Sequence, residues 1–241
     1  QAADETGIPI ILQAGPSCRA HTPIPILGKM FRYLASQTKT NICCHVDHGY
    51  TLDECYEGID SGFTSVMFDG SKLNLKENIN ISKKIALRAH KHNISVEGEI
   101  GFVGYDNGKI SEGTNIEDAV TFANKSNIDA MAISVGNTHL QTSKKASIDF
   151  NKINLIEAKT KIPLVLHGSS GIPVQQRKKL ARKTKIAKLN IGTEIRMTFG
   201  EALRKNLKNN PKTYDRLQLL KPTIKDLTKV TKKIIKQIGP N

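Results

Sequence analysis

The stretch His45–Gly49, which reads HVDHG, joins an apolar run to the beginning of a helix. The run before it, Asn41–Cys44, is typical of a short buried strand. After it, Thr51 and Glu54 have the spacing of a capping box at a helix start. The stretch is therefore expected where a strand passes into a strand-to-helix loop. In parallel α/β folds, this edge of the sheet carries the catalytic residues.

Asp47 and His48 bring a carboxylate and an imidazole to this predicted strand end. Such a pair can transfer protons, and a neutral imidazole nitrogen can bind a metal ion. The simpler interpretation is that Asp47 only caps the following helix and that His48 is a surface residue. What lies at the other strand ends distinguishes the two interpretations.

Seven apolar runs are predicted to be strands. They are Ile8–Gln13, Ile42–Val46, Ser65–Phe68, Ser95–Glu99, Ala130–Val135, Leu164–His167 and Ala187–Ile191. Segments with helical periodicity lie between the runs, and the clearest are Asn74–His92, Ile116–Ala123 and Val174–Arg182. Thr114 and Glu117 form a second capping box at the start of one of them. This alternation predicts βαβ units and a parallel sheet.

The chain length of 241 residues suits one parallel barrel domain. Residues 1–7 resemble the end of a helix that stops at Gly7. We therefore predict that residues 1–241 form a single α/β domain, a (β/α)8 TIM barrel whose first strand and most of whose first helix are missing from this chain. An open doubly wound sheet is the alternative, but no Gly-x-Gly-x-x-Gly motif follows a strand to support a dinucleotide-binding version.

The C-terminal part of the domain, residues 194–238, is predicted to be helical. Met197–Leu207 forms one helix, and a longer one begins at Pro222 and Thr223 with its apolar residues on one stripe. We expect this stripe to pack on the barrel exterior or in a dimer. A lysine-rich helix lying on a membrane surface is the alternative.

The composition disfavours several classes of protein. Lys and Arg number 36 against 22 Asp and Glu, a net charge of +14 that suits anionic ligands or nucleic acid. However, the lysines are spread over predicted helices and Trp is absent, so stacking platforms for bases are not evident. The sequence shows no membrane-spanning apolar run, no signal peptide is visible in it, and its four cysteines form no Cys-x-x-Cys pair. We expect a reduced, cytoplasmic protein that binds neither membrane nor nucleic acid.

Three of the seven histidines lie at predicted strand ends. These three, His48, His139 and His167, could converge on a common axis of the barrel. Three imidazoles that leave a fourth ligand position open are the pattern of a catalytic zinc site. The other histidines have no such placement and are interpreted as loop, strand or helix-surface residues; they are His21, His45, His90 and His92.

Small residues follow the last two predicted strands, in Gly168–Gly171 and Asn190–Thr193. Backbone N–H groups in such loops can surround a phosphate, and barrels often bind one at this place. Plain tight turns are the alternative interpretation of both segments.

Five stretches of the chain, in this order, resemble the class II, metal-dependent fructose/tagatose-bisphosphate aldolase family. They are His45–Gly49, Gly62–Ser71, Val96–Gly101, Val165–Gly171 and Asn190–Glu194, and they are distributed from residue 45 to residue 194 of the chain. The resemblance implies a (β/α)8 barrel and a zinc-dependent aldolase. The implied reaction is the cleavage or formation of a phosphorylated ketose, such as fructose or tagatose bisphosphate, with dihydroxyacetone phosphate as one product. A homo-oligomer, dimeric or tetrameric, is also implied.

The resemblance further implies roles for individual residues. The three strand-end histidines would be the zinc ligands, and Asp47 would transfer the proton of a substrate hydroxyl. Glu99 and Asp69 would line a second, weaker cation position or a resting position of the metal, and a monovalent cation could accompany the zinc. The substrate and its phosphate would be bound by Leu140, Gly168, Ser169, Ser170, Asn190, Ile191, Gly192 and Thr193.

The sequence departs from the family pattern at three places. Leu140 stands where the family usually has Gly, and Gly15 stands where it often has Ser or Thr. The family's mobile loop at this place usually carries acidic residues that perform a second proton transfer. The corresponding loop here, Phe102–Gly108, has Asp106 as its one carboxylate, with Tyr105 beside it. These differences leave two alternatives: a divergent member that acts on another phosphorylated substrate, or a catalytically weak barrel that binds a phosphorylated ligand.

Overall fold

A computed structural model of the chain describes residues 1–105, 108 and 111–239. Within them, seven strands form one parallel sheet and follow each other in sequence order. The strands are β1 Ile10–Ala14, β2 Ile42–Gly49, β3 Ser65–Phe68, β4 Ser95–Ile100, β5 Ala130–Ile133, β6 Leu164–Leu166 and β7 Ile186–Leu189. All seven predicted strands are therefore present, with ends shifted by a few residues.

Helices connect successive strands and continue after the last one. They are α1 Ala2–Thr6, α2 Pro16–His21, α3 Ile24–Ser36, α4 Leu52–Asp60, α5 Leu75–His90, α6 Ile116–Lys125, α7 Phe150–Lys159, α8 Val174–Lys183, α9 Thr193–Asn209, α10 Arg216–Leu220 and α11 Thr223–Ile238. A short 3-10 helix spans Ser169–Gly171. Helix α1 ends at Gly7 with a left-handed φ of 68°, which is the glycine stop that the sequence predicts.

The sheet curls so that its last strand returns toward its second. Nδ2 of Asn190, just after β7, donates a hydrogen bond of 2.9 Å to Oδ1 of Asp47 in β2. Strands β1 and β7 are the two edges, and the described residues contain no eighth strand. A curled parallel sheet whose strands follow each other in sequence order is the architecture of a partial β/α barrel, as predicted. The doubly wound alternative is wrong, because its strand order would reverse at a switch point.

The main core lies between the sheet and the surrounding helices. Apolar side chains of the strands pack there against helical ones such as Phe31, Ile85, Phe122 and Ile153. The last helix, α11, packs on the outside against α1, α8 and α9. No helix among the described residues is long and apolar enough to cross a membrane.

One predicted helix cap is right and the other is wrong. Thr51 caps α4, since its Oγ1 accepts a 3.2 Å hydrogen bond from the backbone N–H of Glu54. Helix α6 is capped instead by Asn115, whose Oδ1 accepts from the backbone N–H groups of Glu117 and Asp118. Thr114 is buried between β4 and β5, where its hydroxyl donates to the carbonyl of Ile100 and accepts from the N–H of Ser134. The demand of these buried backbone groups overrides the capping pattern.

Candidate metal centre and active site

The three histidines predicted at strand ends meet at one edge of the sheet. His48 is the next-to-last residue of β2, His167 directly follows β6, and His139 is in the loop after β5. The ring centroids of His48 and His167 are 4.5 Å apart, and those of His139 and His167 are 5.8 Å apart. One nitrogen of each ring lies within 4.8 Å of the other two. The fold thus brings together three imidazoles that are far apart in sequence.

The backbone at His48 is irregular and is held from a neighbouring helix. His48 has a φ of 113°, which non-glycine residues rarely adopt. Arg19 of α2 donates to the carbonyl of His48 at 2.8 Å, to that of Ala14 at 2.9 Å, and to that of Asp47. Its guanidinium therefore pins the end of β2 to the end of β1. Sequence analysis missed Arg19, since no spacing pattern marks a side chain that caps backbone carbonyls.

Two carboxylates lie beside the imidazoles. Oδ2 of Asp69 accepts a 3.0 Å hydrogen bond from Nδ1 of His48. Oε2 of Glu99 lies 3.8 Å from the same nitrogen and 3.4 Å from Nδ1 of His167. His48, Asp69 and Glu99 form a second group whose donor atoms lie within 4.8 Å of each other. The family resemblance implies that both carboxylates line a cation position, and the structure places them beside the imidazoles.

Two buried polar atoms at this place lack a hydrogen-bond partner within the described residues. They are Nδ1 of His167 and Oε2 of Glu99. Leaving such atoms unpaired costs free energy, so a cation bound between them would compensate both. Three imidazoles with one open position are also the donor set of catalytic zinc sites. The residues present therefore fit a divalent metal ion.

Burial keeps two of the three imidazoles neutral. It lowers the pKa of His139 to about 4, and the charge of His48 adds to the effect. Burial and the same charge lower the pKa of His167 well below its usual value. A neutral imidazole has the free lone pair that a metal ligand needs.

His48 behaves in the opposite way because carboxylates surround it. Burial alone would lower its pKa, but the hydrogen bond that His48 donates to Asp69 and the charges of Asp47 and Glu99 raise it to about 9. In turn, the hydrogen bond and charge of His48 outweigh burial and lower the pKa of Asp69 to about 2. The carboxylates around His48 thus favour a positive charge at this place, which a bound metal cation would also supply.

Asp47 is held by two neutral amides. Its Oδ1 accepts from Nδ2 of Asn190 at 2.9 Å, and its Oδ2 accepts from Nε2 of Gln13 at 3.2 Å. The carboxylate lies 3.7 Å from Nε2 of His48. Since Thr51 caps the following helix, Asp47 has no capping role. Its carboxylate is thus held in one orientation next to the imidazole of His48.

The two predicted phosphate segments touch each other. Oγ of Ser170 accepts a 3.2 Å hydrogen bond from the N–H of Glu194, at the start of α9. Ser169 is fully buried, its hydroxyl donates to the carbonyl of Leu166, and its N–H donates to the carbonyl of Asn190. Ser169 is thus engaged in holding the loop, and a phosphate would depend on its neighbours. The beginning of α9 faces the same place, where helix N-termini favour anions.

The residues that depart from the family pattern lie next to Asp47 and His139 of the candidate site. Leu140 has a φ of 58° in the left-handed region and is 47% exposed. A Cβ on Gly15 would lie 3.4 Å from Oδ2 of Asp47, so a larger residue there would reach toward that carboxylate. Tyr105 stacks on His139, with ring centroids 5.1 Å apart. The predicted role of Asp106 falls outside the described residues.

Three further polar side chains lie inside the barrel, two residues along their strands from the residues of the site. They are His45, Glu97 and Lys188, which lie in β2, β4 and β7 and precede Asp47, Glu99 and Asn190 by two residues each. His45 is buried, which corrects its interpretation as a residue without special placement. Side chains at i and i+2 point to the same face of a strand, so this period could have revealed all three.

The family model for class II fructose-bisphosphate aldolases matches residues 1–241. The chain belongs to this family. A 6-phospho-5-dehydro-2-deoxy-D-gluconate aldolase of Shouchella clausii is 37% identical over 203 residues, which cover 82% of this chain and 68% of that protein. A fructose-bisphosphate aldolase of Staphylococcus aureus is 32% identical over 246 residues, covering 99% and 86%.

Solved structures agree with this assignment. The YdjI aldolase of Escherichia coli K12 is 26% identical with a TM-score of 0.82, and the match covers 99% of this chain and 84% of that one. The fructose-bisphosphate aldolase of Campylobacter jejuni shares the fold, with a TM-score of 0.83 at 19% identity over 99% and 85% of the two chains. This class II aldolase is therefore a carbon–carbon lyase of a metal-dependent family.

Proposed function

We propose that this aldolase is zinc-dependent and cleaves or forms a phosphorylated ketose, with dihydroxyacetone phosphate as one product. The observation that carries the proposal is the convergence of His48, His139 and His167 around an unpaired, buried Nδ1 of His167. Zinc is favoured over harder cations because imidazole nitrogens make up this donor set. The second group, with Asp69 and Glu99, would offer an alternative cation position.

Asp47 performs the proton transfer in the proposed reaction. When bound, the metal ion supplies Lewis-acid stabilisation of the negative charge that develops on the ketone oxygen. Asp47 takes the hydroxyl proton as the carbon–carbon bond breaks and returns it in condensation. Gln13 and Asn190 keep its carboxylate in one orientation. Because the same proton leaves and returns to the same substrate oxygen, Asp47 serves both cleavage and condensation.

The substrate phosphate would bind between the loop after β6 and the beginning of α9. Gly168, Ser170 and the segment 191–193 would supply backbone N–H groups and hydroxyls there, whereas the N–H of Asn190 is donated to the carbonyl of Leu166. The positive charge of Arg196, in the first turn of α9, helps to lower the pKa of His139. It therefore adds positive potential on this side of the site. A phosphate held here would fix the position of the reacting carbons relative to Asp47.

Two substrate classes share the required chemistry. Fructose 1,6-bisphosphate and 6-phospho-5-dehydro-2-deoxy-D-gluconate each carry a ketone next to a phosphorylated carbon, and retro-aldol cleavage of either releases dihydroxyacetone phosphate. They differ at the far end, which is a phosphate in the first and a carboxylate in the second. The 37% identical relative named for the deoxy acid makes that compound the second candidate. Leu140 and Gly15 differ from the family pattern at the pocket, which also supports testing both.

The test measures bound zinc per chain and release of dihydroxyacetone phosphate from both substrates, with and without a chelator. Wild type is compared with His139→Ala and with His92→Ala, whose imidazole is exposed far from the site. We expect stoichiometric zinc and chelator-sensitive cleavage in wild type and the control, and loss of both in His139→Ala, since two imidazoles hold zinc weakly. Full activity of His139→Ala would contradict the proposal. Absence of zinc from wild type would favour a barrel that only binds a phosphorylated ligand.

We also propose a cytoplasmic homo-oligomer, a dimer or tetramer. Helix α3 supports it, because Ile26, Tyr33 and Leu34 are 58%, 65% and 48% exposed. Clustered exposed apolar side chains favour an interface between protein surfaces. Sedimentation velocity measures the molecular mass, and a monomer at all concentrations would contradict the proposal.

A further inference from the structure

A row of charged and polar groups lies buried beneath the candidate metal centre. Nζ of Lys188 is 2.8 Å from Oε2 of Glu97, and Oε1 of Glu97 is 2.9 Å from Nε2 of His167. The three side chains are 9%, 3% and 0% exposed, respectively. An ammonium, a carboxylate and an imidazole therefore follow each other in direct contact, away from water.

The hydrogen bonds in this row determine which nitrogen of His167 faces the metal centre. A carboxylate accepts, so Nε2 of His167 carries the hydrogen and donates it to Glu97. In the neutral ring, Nδ1 then has the free lone pair, and it is the atom without a partner at the site. The second nitrogen of a metal-bound histidine is typically fixed by a carboxylate in this way.

The Glu97 carboxylate is in turn oriented by Lys188. Its ammonium occupies Oε2, which leaves Oε1 for His167. Nζ of Lys188 is also 3.4 Å from Nε2 of His45, whose Nδ1 contacts Oγ of Ser65 at 2.8 Å. Since an ammonium only donates, His45 accepts from Lys188 and donates to Ser65. The ammonium is thus fixed by side chains from β2 and β4.

On the basis of the proposed function, we infer that Lys188 is a positioning residue for the metal ligand His167 and acts through Glu97 without touching metal or substrate. A buried ion pair is a poor source of stability, because desolvation of its two charges offsets their attraction. An outer partner of a metal-bound histidine, in contrast, contributes to metal affinity. The row beneath the site therefore serves the metal centre and not the core.

The test measures the affinity for Co²⁺ and the visible absorption spectrum of the Co²⁺-loaded protein. Lys188→Met is compared with wild type and with Lys183→Met, which makes the same change at an exposed residue of α8. We expect Lys188→Met to bind Co²⁺ roughly 10- to 100-fold more weakly, with a changed spectrum, while the control matches wild type. The spectrum reports the ligand geometry, which a general loss of stability would not alter in the folded fraction.

Wild-type affinity and spectrum in Lys188→Met would overturn the inference while the proposed function stands. Failure of wild type to bind metal would overturn the proposed function and the inference with it. If Lys188→Met does not fold, the double variant Lys188→Met/Glu97→Gln removes both charges and leaves no uncompensated one buried. We expect the same loss of affinity and change of spectrum there, and wild-type values would overturn the inference.

Discussion

The role proposed for Asp47 requires its carboxylate and does not depend on the volume of its side chain. Gln13 and Asn190 hold it next to the three imidazoles. We expect Asp47→Ala to lower kcat by roughly 10²- to 10⁴-fold, the usual contribution of a general base, with metal content unchanged. Asp53→Ala, at an exposed residue of α4, is the control and should keep full activity. Loss of metal from Asp47→Ala would show that the carboxylate is a ligand instead.

A single glycine controls how closely two loops of the site approach. Gly168 has a φ of +62°, and a Cβ there would lie 2.2 Å from the carbonyl oxygen of Thr138, the residue before His139. Gly7 has a similar φ of +68° with nothing within 4 Å of its Cβ position, so it is a matched control. We expect Gly7→Ala to cost about 1 kcal/mol of unfolding free energy from backbone strain alone.

Gly168→Ala should cost more than this control and should also weaken metal binding, because the clash moves the His139 segment. Urea denaturation measures the first effect and zinc titration the second. Equal unfolding free energies of the two variants would show that the loops can separate without consequence.

At the scale of elements, helix α2 fixes the end of β2 through one side chain. Arg19 bridges the carbonyls of Ala14, Asp47 and His48, and the last of these has the unusual φ. We expect Arg19→Met to lower the unfolding free energy by roughly 2 to 4 kcal/mol, since it leaves partly buried carbonyls without a charged donor. Metal binding should weaken as well, because the ring of His48 depends on this backbone.

The control for Arg19→Met is Arg88→Met, which removes an arginine from an exposed ion pair with Asp60. Such pairs contribute about 0 to 1 kcal/mol. Thermal or urea denaturation compares the two variants, and metal titration follows the site. Similar small effects of both substitutions would mean that the end of β2 keeps its geometry without α2.

At the scale of the whole molecule, the cysteines report the integrity of the barrel. Cys44 and Cys55 are fully buried, whereas Cys18 is exposed. Burial raises the pKa of Cys55 to about 12 and also raises the pKa of Cys44. A raised pKa keeps a thiol protonated at about pH 8, and the protonated form does not react with thiol reagents.

We therefore expect rapid labelling of Cys18 and labelling of Cys44 and Cys55 only on global unfolding. Mass spectrometry of peptides after timed labelling, with and without urea, measures each rate. Rapid labelling of the two buried thiols in native buffer would show that the curled sheet opens locally.

The sequence alone predicts the alternation of strands and helices, because residues that are near in sequence produce the apolar periods. It also predicts which polar residues lie at the carboxyl edge, since that edge is the same for every strand of a parallel sheet. Asp47, His48, His139 and His167 are found in this way, and the family resemblance adds Asp69 and Glu99. The wrong cap at Thr114 shows the limit, because a buried hydroxyl follows its tertiary partners.

Only the tertiary structure decides which of these residues touch. Asn190 and Asp47 are 143 residues apart in sequence, and Lys188 and Glu97 are 91 apart, yet each pair is in hydrogen-bond contact. The curl of the sheet and the register of its strands bring them together, and neither property can be predicted from a local sequence pattern. The same holds for Arg19, which binds backbone carbonyls whose direction depends on the irregular end of β2. The sequence thus determines the donors at the site, and the packing of the barrel determines how they are oriented.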